Sequence, residues 1–358
     1  MPRPIVATTD LSAMQSNLAV ARAAMPGTKV WAVVKADAYG HGLENGLRGF
    51  ADADGLSLIE FDRAVKLRDL GWTKPIMMMQ GMFDTSDLDV ISQYQLQPVV
   101  HNNEQLEMLS KARFTEPIHV HLKINTGMNR LGFLPEQARD AYARLQAMPT
   151  VGKISLITHF ANADTRSVAP DVSTQVAAFQ RASADIQAEV SLSNSPAILM
   201  HPQHKADWIR PGVMLYGGSP GSADAASFGL KAAMTLSSRV IAIQTIGAGD
   251  SVGYGSLFRA EREMRVGIVA CGYADGYPRH ATTGAPVLVD GIRTRLLGRV
   301  SMDMLNVDLS SIPNAQVGSE VTLWGDELPI DEVATAAGTI GYELMCAITA
   351  RVQRQVRT

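Results

Sequence analysis

The feature that most constrains the fold is a regular alternation of strand and helix signals over roughly the first 220 residues. Short apolar, β-branched segments alternate with stretches of helical spacing. The strand candidates are 29–36, 55–59, 75–81, 96–101, 118–124, 153–160, 190–194 and 207–217. The helix candidates include 60–71, 102–113 and 135–148. Alternation of this kind predicts a parallel sheet with right-handed crossovers, and eight repeats favour a closed (β/α)8 barrel over an open sheet.

The pattern changes after about residue 230, where strand-like segments are broken by Gly-rich turns. "VLVDGIRTRLLG" places Asp290 and Gly291 between two alternating runs, which is a strong signal for a β-hairpin. Only "DEVATAAG" (331–338) has a helical pattern in this part of the chain. We therefore predict an α/β protein with a barrel domain over 1–230 and a mostly antiparallel β domain over 231–358.

Composition excludes several classes of function for this chain of 358 residues. A net charge of −3 and a pI near 6.2 give no reason to expect nucleic acid or an acidic membrane surface as a partner. Cys271 and Cys346 lie far apart, so no metal site is predicted, and two thiols suit a reducing compartment. There is no apolar run of about 18 residues and no secretion-type leader, so we expect a cytoplasmic protein with no membrane span.

Polar side chains gather where the predicted barrel strands end. They are Lys35 and Tyr39 in "VWAVVKADAYGHG", Lys123 and Arg130 in "HLKINTGMNRLG", His159 in "ITHFANAD", Asn194 and Ser195 in "LSNS", and Arg210 in "WIRPGVMLYG". Each alone has an ordinary structural explanation, such as a solvated strand end, a buried histidine or a salt bridge. Because barrels carry their chemistry at the carboxyl ends of the strands, together these residues predict one site for an anionic ligand.

The residues near the last two strands favour a phosphate as that anion. Backbone N–H groups of 211–213, with the hydroxyls of Ser195 and Tyr39, suit a phosphate at the place where barrels commonly bind one. The sequence has no Walker-type loop, which argues against a nucleoside triphosphate. A lysine beside a phosphate site can form a Schiff base, and this combination predicts pyridoxal phosphate as cofactor.

These segments resemble those of bacterial alanine racemases over essentially the whole chain. The resemblance rests on "AVVKADAYGHG", "KINTGMNRLGF", "THFANAD", "SNS", "WIRPGVMLYG", "VGYGS", "GYADGYPR", "GRVSMDM" and "GYELMC", which occur in the family's order. The chain is most similar to the shorter, catabolic type of Gram-negative bacteria. Many relatives have Cys where this chain has Ser301, which should alter only the packing of that turn.

The resemblance implies a role for each residue of the barrel site. Lys35 would carry pyridoxal phosphate as an internal aldimine, and Lys123 would be carbamylated and orient Arg130. Arg130 would lie near the cofactor's phenolic oxygen and the substrate carboxylate, and Arg210 would face the pyridine nitrogen with His159 beside it. The implied phosphate contacts are Tyr39, Ser195, Gly212, Val213 and Tyr342.

The resemblance also implies a homodimer with shared active sites. Tyr254 would be the second catalytic base, contributed by the partner subunit, and the backbone N–H of Met302 would contact the substrate carboxylate across the interface. The implied substrate entryway consists of Asp164, Tyr273, Arg279 and Arg299. The expected reaction is the interconversion of L- and D-alanine by two bases, Lys35 on one face and Tyr254 on the other.

Two alternatives remain open from the sequence. One is an amino-acid racemase of broader range, against which the bulky Tyr342 and Tyr273 argue because they should narrow the site. The other is a non-catalytic cofactor-holding protein of the single-barrel kind. Such proteins lack the β domain and the equivalent of Tyr254, both of which this chain has. The resemblance places Arg210 at the cofactor's ring nitrogen, where an acidic residue would protonate the ring. A guanidinium does not give up its proton, so Arg210 further favours racemisation.

Overall fold

The computed structural model describes residues 3–165, 168–221 and 223–358. The chain opens with strand β1 (Val6–Asp10) and helix α1 (Leu11–Ala24). Asp10 caps this helix, since its side chain accepts a hydrogen bond of 2.9 Å from the N–H of Ala13. No helix in these three ranges is both long and apolar enough to cross a membrane.

A closed barrel of parallel strands follows. Each strand pairs with the next, and the last pairs with the first through Lys29 opposite Trp208 and Val30 opposite Ile209. The strands are β2 (Lys29–Val33), β3 (Gly55–Leu58), β4 (Ile76–Met78), β5 (Gln97–Val100), β6 (Ile118–Lys123), β7 (Val151–Ile157), β8 (Val190–Ser191) and β9 (Trp208–Ile209). Within the described ranges these eight strands confirm the predicted (β/α)8 barrel.

Helices connect the barrel strands, as the alternation predicted. They are α2 (Lys35–Tyr39), α3 (Leu43–Gly49), α4 (Phe61–Asp69), α5 (Ser86–Gln93), α6 (Asn103–Lys111), α7 (Ala138–Gln146), α8 (Val172–Ala182) and α9 (Ser195–Met200). α4 buries Ala64 and Leu67, and α6 buries Leu106 and Leu109. Residues three apart share one helix face, so each helix presents one apolar side to the core.

The predicted eighth strand, 207–217, is much shorter in the structure. β9 ends at Ile209, and a 3-10 turn, Val213–Tyr216, follows within a few residues. Pro211 has no N–H to donate to a strand neighbour, so it favours an early end of the strand. The carbonyl of Pro211 still accepts a hydrogen bond of 3.1 Å from the N–H of Val33 in β2, and the chain turns away from the strand direction after that residue.

The second half of the chain forms a mostly antiparallel sheet, as predicted. Its elements are β10 (Met234–Ile246), β11 (Ser251–Val252), β12 (Phe258–Arg259), β13 (Met264–Val269), β14 (Pro286–Val289), β15 (Ile292–Arg295), β16 (Leu305–Asp308), β17 (Glu320–Trp324), α10 (Ile330–Ala336), α11 (Gly341–Cys346) and β18 (Gln353–Arg357). β11 and β12 form a separate ribbon. The β14–β15 pair is the hairpin predicted at Asp290 and Gly291.

One strand joins the two ends of the sequence. β1 lies between β10 and β18 in the second sheet, antiparallel to β10 and parallel to β18. The predicted domain boundary at residue 230 assigns β1 to the barrel domain, whereas its strand pairing lies entirely in the second sheet. The boundary stays a prediction for the rest of the chain.

Large side chains fill the barrel below its carboxyl end. The rings of Trp31 and Trp208 stack at 4.4 Å, and His121 meets Trp31 edge-on at 5.6 Å. These three residues are buried. The barrel interior is therefore a packed core at the level of these three side chains.

Candidate active site

The site begins with an unusual turn directly after β2. The segment Lys35–Tyr39 is helical in its hydrogen bonding, but Ala36, Asp37, Ala38 and Tyr39 all have positive φ, between 51° and 54°. A non-glycine residue in this left-handed region costs about 1–2 kcal/mol. Strain of this kind persists only where surrounding contacts hold it in place, and it is common at functional sites.

The turn directs two predicted site residues into one cavity of about 580 Å³ at the carboxyl end of the barrel. The cavity is lined by the following predicted residues: Lys35, Tyr39, Arg130, Asp164, His159, Asn194, Ser195, Arg210, Gly212, Val213 and Tyr342. Residues from separate strands and connections therefore meet, as the position at strand ends predicted. Lys123 lies beside this cavity, where it lines a small void together with His159.

Ser195 and Gly212 form a cradle on one wall of the cavity. The N–H of Gly212 donates to the Ser195 hydroxyl at 2.9 Å, and Ser195 is buried. A Cβ on residue 212 would lie only 2.7 Å from the Tyr39 hydroxyl, so glycine is needed there for close packing. Burial raises the pKa of Tyr39 far above its usual value, which keeps its hydroxyl protonated as a donor. The hydroxyls of Tyr39 and Ser195 can donate to a phosphate group here, and the N–H of Gly212 orients the Ser195 oxygen.

Arg210 is buried among neutral acceptors. Its guanidinium donates to the hydroxyl of Ser191 at 2.6 Å and to the carbonyls of Thr158 and Leu192 at 2.6 and 3.1 Å. Burial lowers the pKa of Arg210 to about 9, so it still carries its charge at neutral pH. Burial, followed by the charge of Arg210, lowers the pKa of His159 well below its usual value, which leaves that imidazole neutral.

The remaining cations give the site a positive potential. Burial and then Arg210 and Arg130 lower the pKa of Lys123 to about 8, and burial and then Arg130 also lower the pKa of Lys35. Within residues 3–165, 168–221 and 223–358, none of these four cations forms a salt bridge with a carboxylate. An anionic ligand would supply the missing negative charge.

The residues predicted to serve a partner subunit lie elsewhere. Tyr254 is 71% exposed and Met302 is 53% exposed, and neither lines the cavity of Lys35. Tyr273 is held against Met302, since the N–H groups of Tyr273 and Ala274 donate to the carbonyls of Ser301 and Met302, both at 3.0 Å. The contacts of Ser301 in this turn are made by its backbone.

The two predicted entryway arginines of the second domain lie beside these aromatic residues. The guanidinium of Arg279 lies 6.0 Å from the centre of the Tyr273 ring. The guanidinium of Arg299 lies close to Gly255, the residue after Tyr254. A Cβ built on Gly255 would be 3.8 Å from a guanidinium nitrogen of Arg299. The structure thus separates the predicted site residues into a barrel group, to which Asp164 belongs, and an exposed group on the second domain.

Two family models match the chain. The alanine racemase N-terminal domain matches residues 9–220, and the alanine racemase C-terminal domain matches residues 233–356. The chain belongs to the alanine racemase family. It is 58% identical to the alanine racemase of Janthinobacterium sp. (strain Marseille) over 354 residues, which is 99% of each chain. It is 53% identical to that of Burkholderia mallei over 98% of this chain and 99% of the relative.

Solved alanine racemases have the same fold. The biosynthetic alanine racemase of Pseudomonas aeruginosa matches with a TM-score of 0.97 and 45% identity, over 99% of this chain and all of the other. The alanine racemase of Bartonella henselae, solved with covalently bound pyridoxal phosphate, matches with a TM-score of 0.88 and 25% identity over 99% and 100% of the two chains. The likeness to the catabolic type of alanine racemase stays a prediction.

Several residues that line this cavity were not predicted from the sequence. Met79, Met128, Phe160, Glu343 and Cys346 also line the cavity. Cys346 and Glu343 lie within the "GYELMC" segment, so their place in α11 next to Tyr342 could have suggested them. The apolar residues carry no comparable signal, because their spacing is that of ordinary core positions.

Proposed function

We propose that the protein interconverts L- and D-alanine with pyridoxal phosphate as cofactor. The observation that carries the proposal is the cavity in which Lys35 faces the cradle of Ser195 and Gly212. Membership of the alanine racemase family supports the reaction, and the covalently bound cofactor of the Bartonella henselae relative supports the cofactor. The cytoplasmic location predicted from the sequence forms part of the same proposal.

The residues present fit this cofactor. Lys35 would hold it covalently, and Arg210 would lie against its ring nitrogen. The phosphate would be held by the hydroxyls of Tyr39, Ser195 and Tyr342 and by the N–H groups of Gly212 and Val213. When bound, pyridoxal phosphate supplies the electron sink that makes the α-proton of an amino acid removable.

The protein must then move a proton on each side of the substrate's α-carbon. The Lys35 amine, whose pKa is lowered by burial and Arg130, can accept or return the proton on one side. Tyr254 of a second protomer would act on the other side. A free phenol has a pKa of about 10, so it needs a nearby cation such as Arg130 to favour its phenolate.

Arg210 favours racemisation over other reactions of the same cofactor. Its guanidinium keeps its proton, so it offers a hydrogen bond but no proton to the ring nitrogen. Arg130 would bind the substrate carboxylate together with the backbone N–H of Met302 of the partner subunit. The proposal includes a carbamate on Lys123 that would orient Arg130. Carbamylation requires a neutral amine, and the lowered pKa of Lys123 favours that form.

The proposal includes a homodimer with two shared sites. Its support is the exposure of Tyr254 and Met302 on the second domain, away from the cavity of their own chain. A symmetric dimer would place these residues of each protomer over the cavity of the other. Tyr273, Arg279 and Arg299 would then flank the approach to the partner's cavity, opposite Asp164.

A mixing experiment tests the reaction and the shared site together. Lys35→Ala and Tyr254→Phe are each expected to lose racemisation of D- and L-alanine, and Tyr254→Phe should keep bound cofactor. When the two variants are unfolded and refolded together, mixed dimers have one intact site, so about a quarter of wild-type activity should return. No recovery would exclude the shared site, and full turnover by Tyr254→Phe would favour a site without a second base. A panel of other amino acids separates alanine racemase from the broader alternative.

A further inference from the structure

The left-handed turn after Lys35 needs a contact that fixes its first residue. Within the turn, the N–H of Ala38 donates to the carbonyl of Val34 at 3.0 Å, and the N–H of Gly40 donates to that of Ala36 at 2.9 Å. The N–H of Ala36 instead leaves the turn and donates to Glu60 Oε1 at 3.0 Å. The residue next to Lys35 is therefore held by a side chain from the connection that follows another barrel strand.

Glu60 is well placed to act as a fixed acceptor. It follows β3, the strand that pairs with β2, and it precedes the first residue of α4. Its second oxygen, Oε2, lies 3.2 Å from the N–H of Ile59, which donates to it. One carboxylate thus joins the ends of two neighbouring barrel strands and can move little without breaking one of its two hydrogen bonds.

The other end of the turn is held independently of Glu60. Asp37 Oδ1 accepts from the N–H of Leu43 at 3.0 Å, and the ring of Tyr39 stacks on Tyr216 at 4.7 Å. The hydroxyl of Tyr216 donates to the carbonyl of Val33 at 2.8 Å. Loss of Glu60 would therefore release the Lys35 end while Tyr39 stays packed.

We infer that Glu60 is a positioning residue for Lys35: its hydrogen bond to the Ala36 N–H starts the left-handed turn and so aims the Lys35 amine into the cavity. Glu60 does not line the cavity, so it acts through Lys35 and touches neither substrate nor cofactor. The inference rests on the proposed function, in which Lys35 holds the cofactor and moves a proton.

The charge of Glu60 also acts on Lys35. Burial and Arg130 lower the pKa of Lys35, whereas Cys346 and Glu60 oppose that shift. The hydrogen bond and the charge can be separated by substitution. Glu60→Gln keeps an oxygen acceptor and removes the charge, and Glu60→Ala removes both.

The test uses the holoenzyme with Glu60→Ala, Glu60→Gln and a control, Asp62→Asn. Asp62 lies in the first turn of α4, two residues after Glu60, and its side chain is 79% exposed. Three properties are measured: kcat and KM for L-alanine, the pH titration of the cofactor's visible absorbance, and the rate at which hydroxylamine removes that absorbance. The last two report on the bond of Lys35 to the cofactor without turnover.

For Glu60→Ala we expect kcat to fall about tenfold with KM within about twofold, and hydroxylamine to release the cofactor about tenfold faster, as for loss of one oriented hydrogen bond. Glu60→Gln should remain within about threefold of wild type in both rates, with a shifted absorbance titration. Asp62→Asn should match wild type. Circular dichroism and thermal unfolding establish that each variant is folded.

Two results would overturn the inference. One is a Glu60→Ala protein whose kcat and hydroxylamine rate equal those of wild type. The other is a Glu60→Gln protein whose kcat and hydroxylamine rate are changed as much as those of Glu60→Ala. That result would show that the charge of Glu60, and not its hydrogen bond to Ala36, affects Lys35. A wild-type protein that binds no pyridoxal phosphate would instead remove the proposed function itself, so the two failures are distinct.

Discussion

Both ends of the barrel carry lysine side chains, but those at one end form salt bridges and those at the other end do not. At the amino ends of the strands, Lys29 and Lys153 both pair with Glu189, at 3.1 and 2.8 Å. The indole N–H of Trp208 donates to the same carboxylate at 3.0 Å. Both lysines at this end therefore share a carboxylate partner that the chain itself supplies.

The carboxyl ends have cations without a matching carboxylate. Lys35 lies just beyond the carboxyl end of the strand that begins at Lys29, and Lys123 and Arg210 are near it. In the described parts of the chain, none of these three side chains forms a salt bridge with a carboxylate. Unpaired cations destabilise the free protein, and a bound anion stabilises it again. We infer from this comparison that the paired charges stabilise the fold at one end of the barrel, whereas the unpaired cations at the other end are available to bind an anion.

The largest expected effect is that of Lys35→Ala, compared with Lys29→Ala at the other end of the same strand. Lys35→Ala should abolish racemisation and the visible absorbance of bound pyridoxal phosphate, because Lys35 is the one lysine among the described residues that line the cavity. Lys29→Ala is the matched control and should keep both, since it only breaks an exposed pair. Steady-state rates and absorption spectra of both variants check this. Loss of absorbance in Lys29→Ala would show that the two ends are not functionally separate.

A second prediction concerns alkaline pH and the cavity end. Lys123 has its pKa lowered to about 8 in the fold, below its usual value near 10.5, so between these values the unfolded chain binds more protons. The free energy of unfolding of the cofactor-free protein should therefore rise from pH 8 to pH 10, by on the order of 2 kcal/mol from this group. Denaturant unfolding in carbon dioxide-free buffer measures it. Lys123→Met should lose this part of the rise, and an unchanged rise would assign it to other groups.

The smallest expected effect is at the paired end. Burial alone would raise the pKa of Glu189, but hydrogen bonds from Lys153, Trp208 and Lys29 hold it at about 2. The stability that Glu189 contributes is present above its usual pKa of 4.5 and is lost as the pH falls toward 2. Glu189→Gln should thus lower the free energy of unfolding by about 1 kcal/mol at pH 7 and by less at pH 3, with unchanged racemisation. A large loss of activity would contradict the division between the ends.

Much of the fold was predictable because it depends on local patterns. The alternation of apolar segments and helical spacing predicted the barrel, and Asp290 with Gly291 predicted the β14–β15 hairpin. β1 was not recognised as part of the second sheet. Its partners lie more than 200 residues away, and no local pattern records a pairing over that distance.

The candidate site was predictable in its residue types but not in its arrangement. Lys35, His159 and Arg210 were expected at one mouth because strands of a barrel end together, and the cavity contains all three. Glu60 was missed although it lies two residues after the end of the strand β3. Its importance depends on the left-handed turn of Ala36–Tyr39, and four non-glycine residues give no sequence signal for positive φ.

The barrel, the antiparallel second half and the polar residues that could hold a phosphate cofactor were predictable from the sequence alone, because periodicity and turn chemistry act over a few residues. Three features required the folded structure: which charges are paired, how Glu60 holds the turn at Lys35, and the position of Tyr254 outside the cavity of its own chain. These depend on side chains that pack together from distant parts of the chain, and their distances are fixed only when the whole molecule folds.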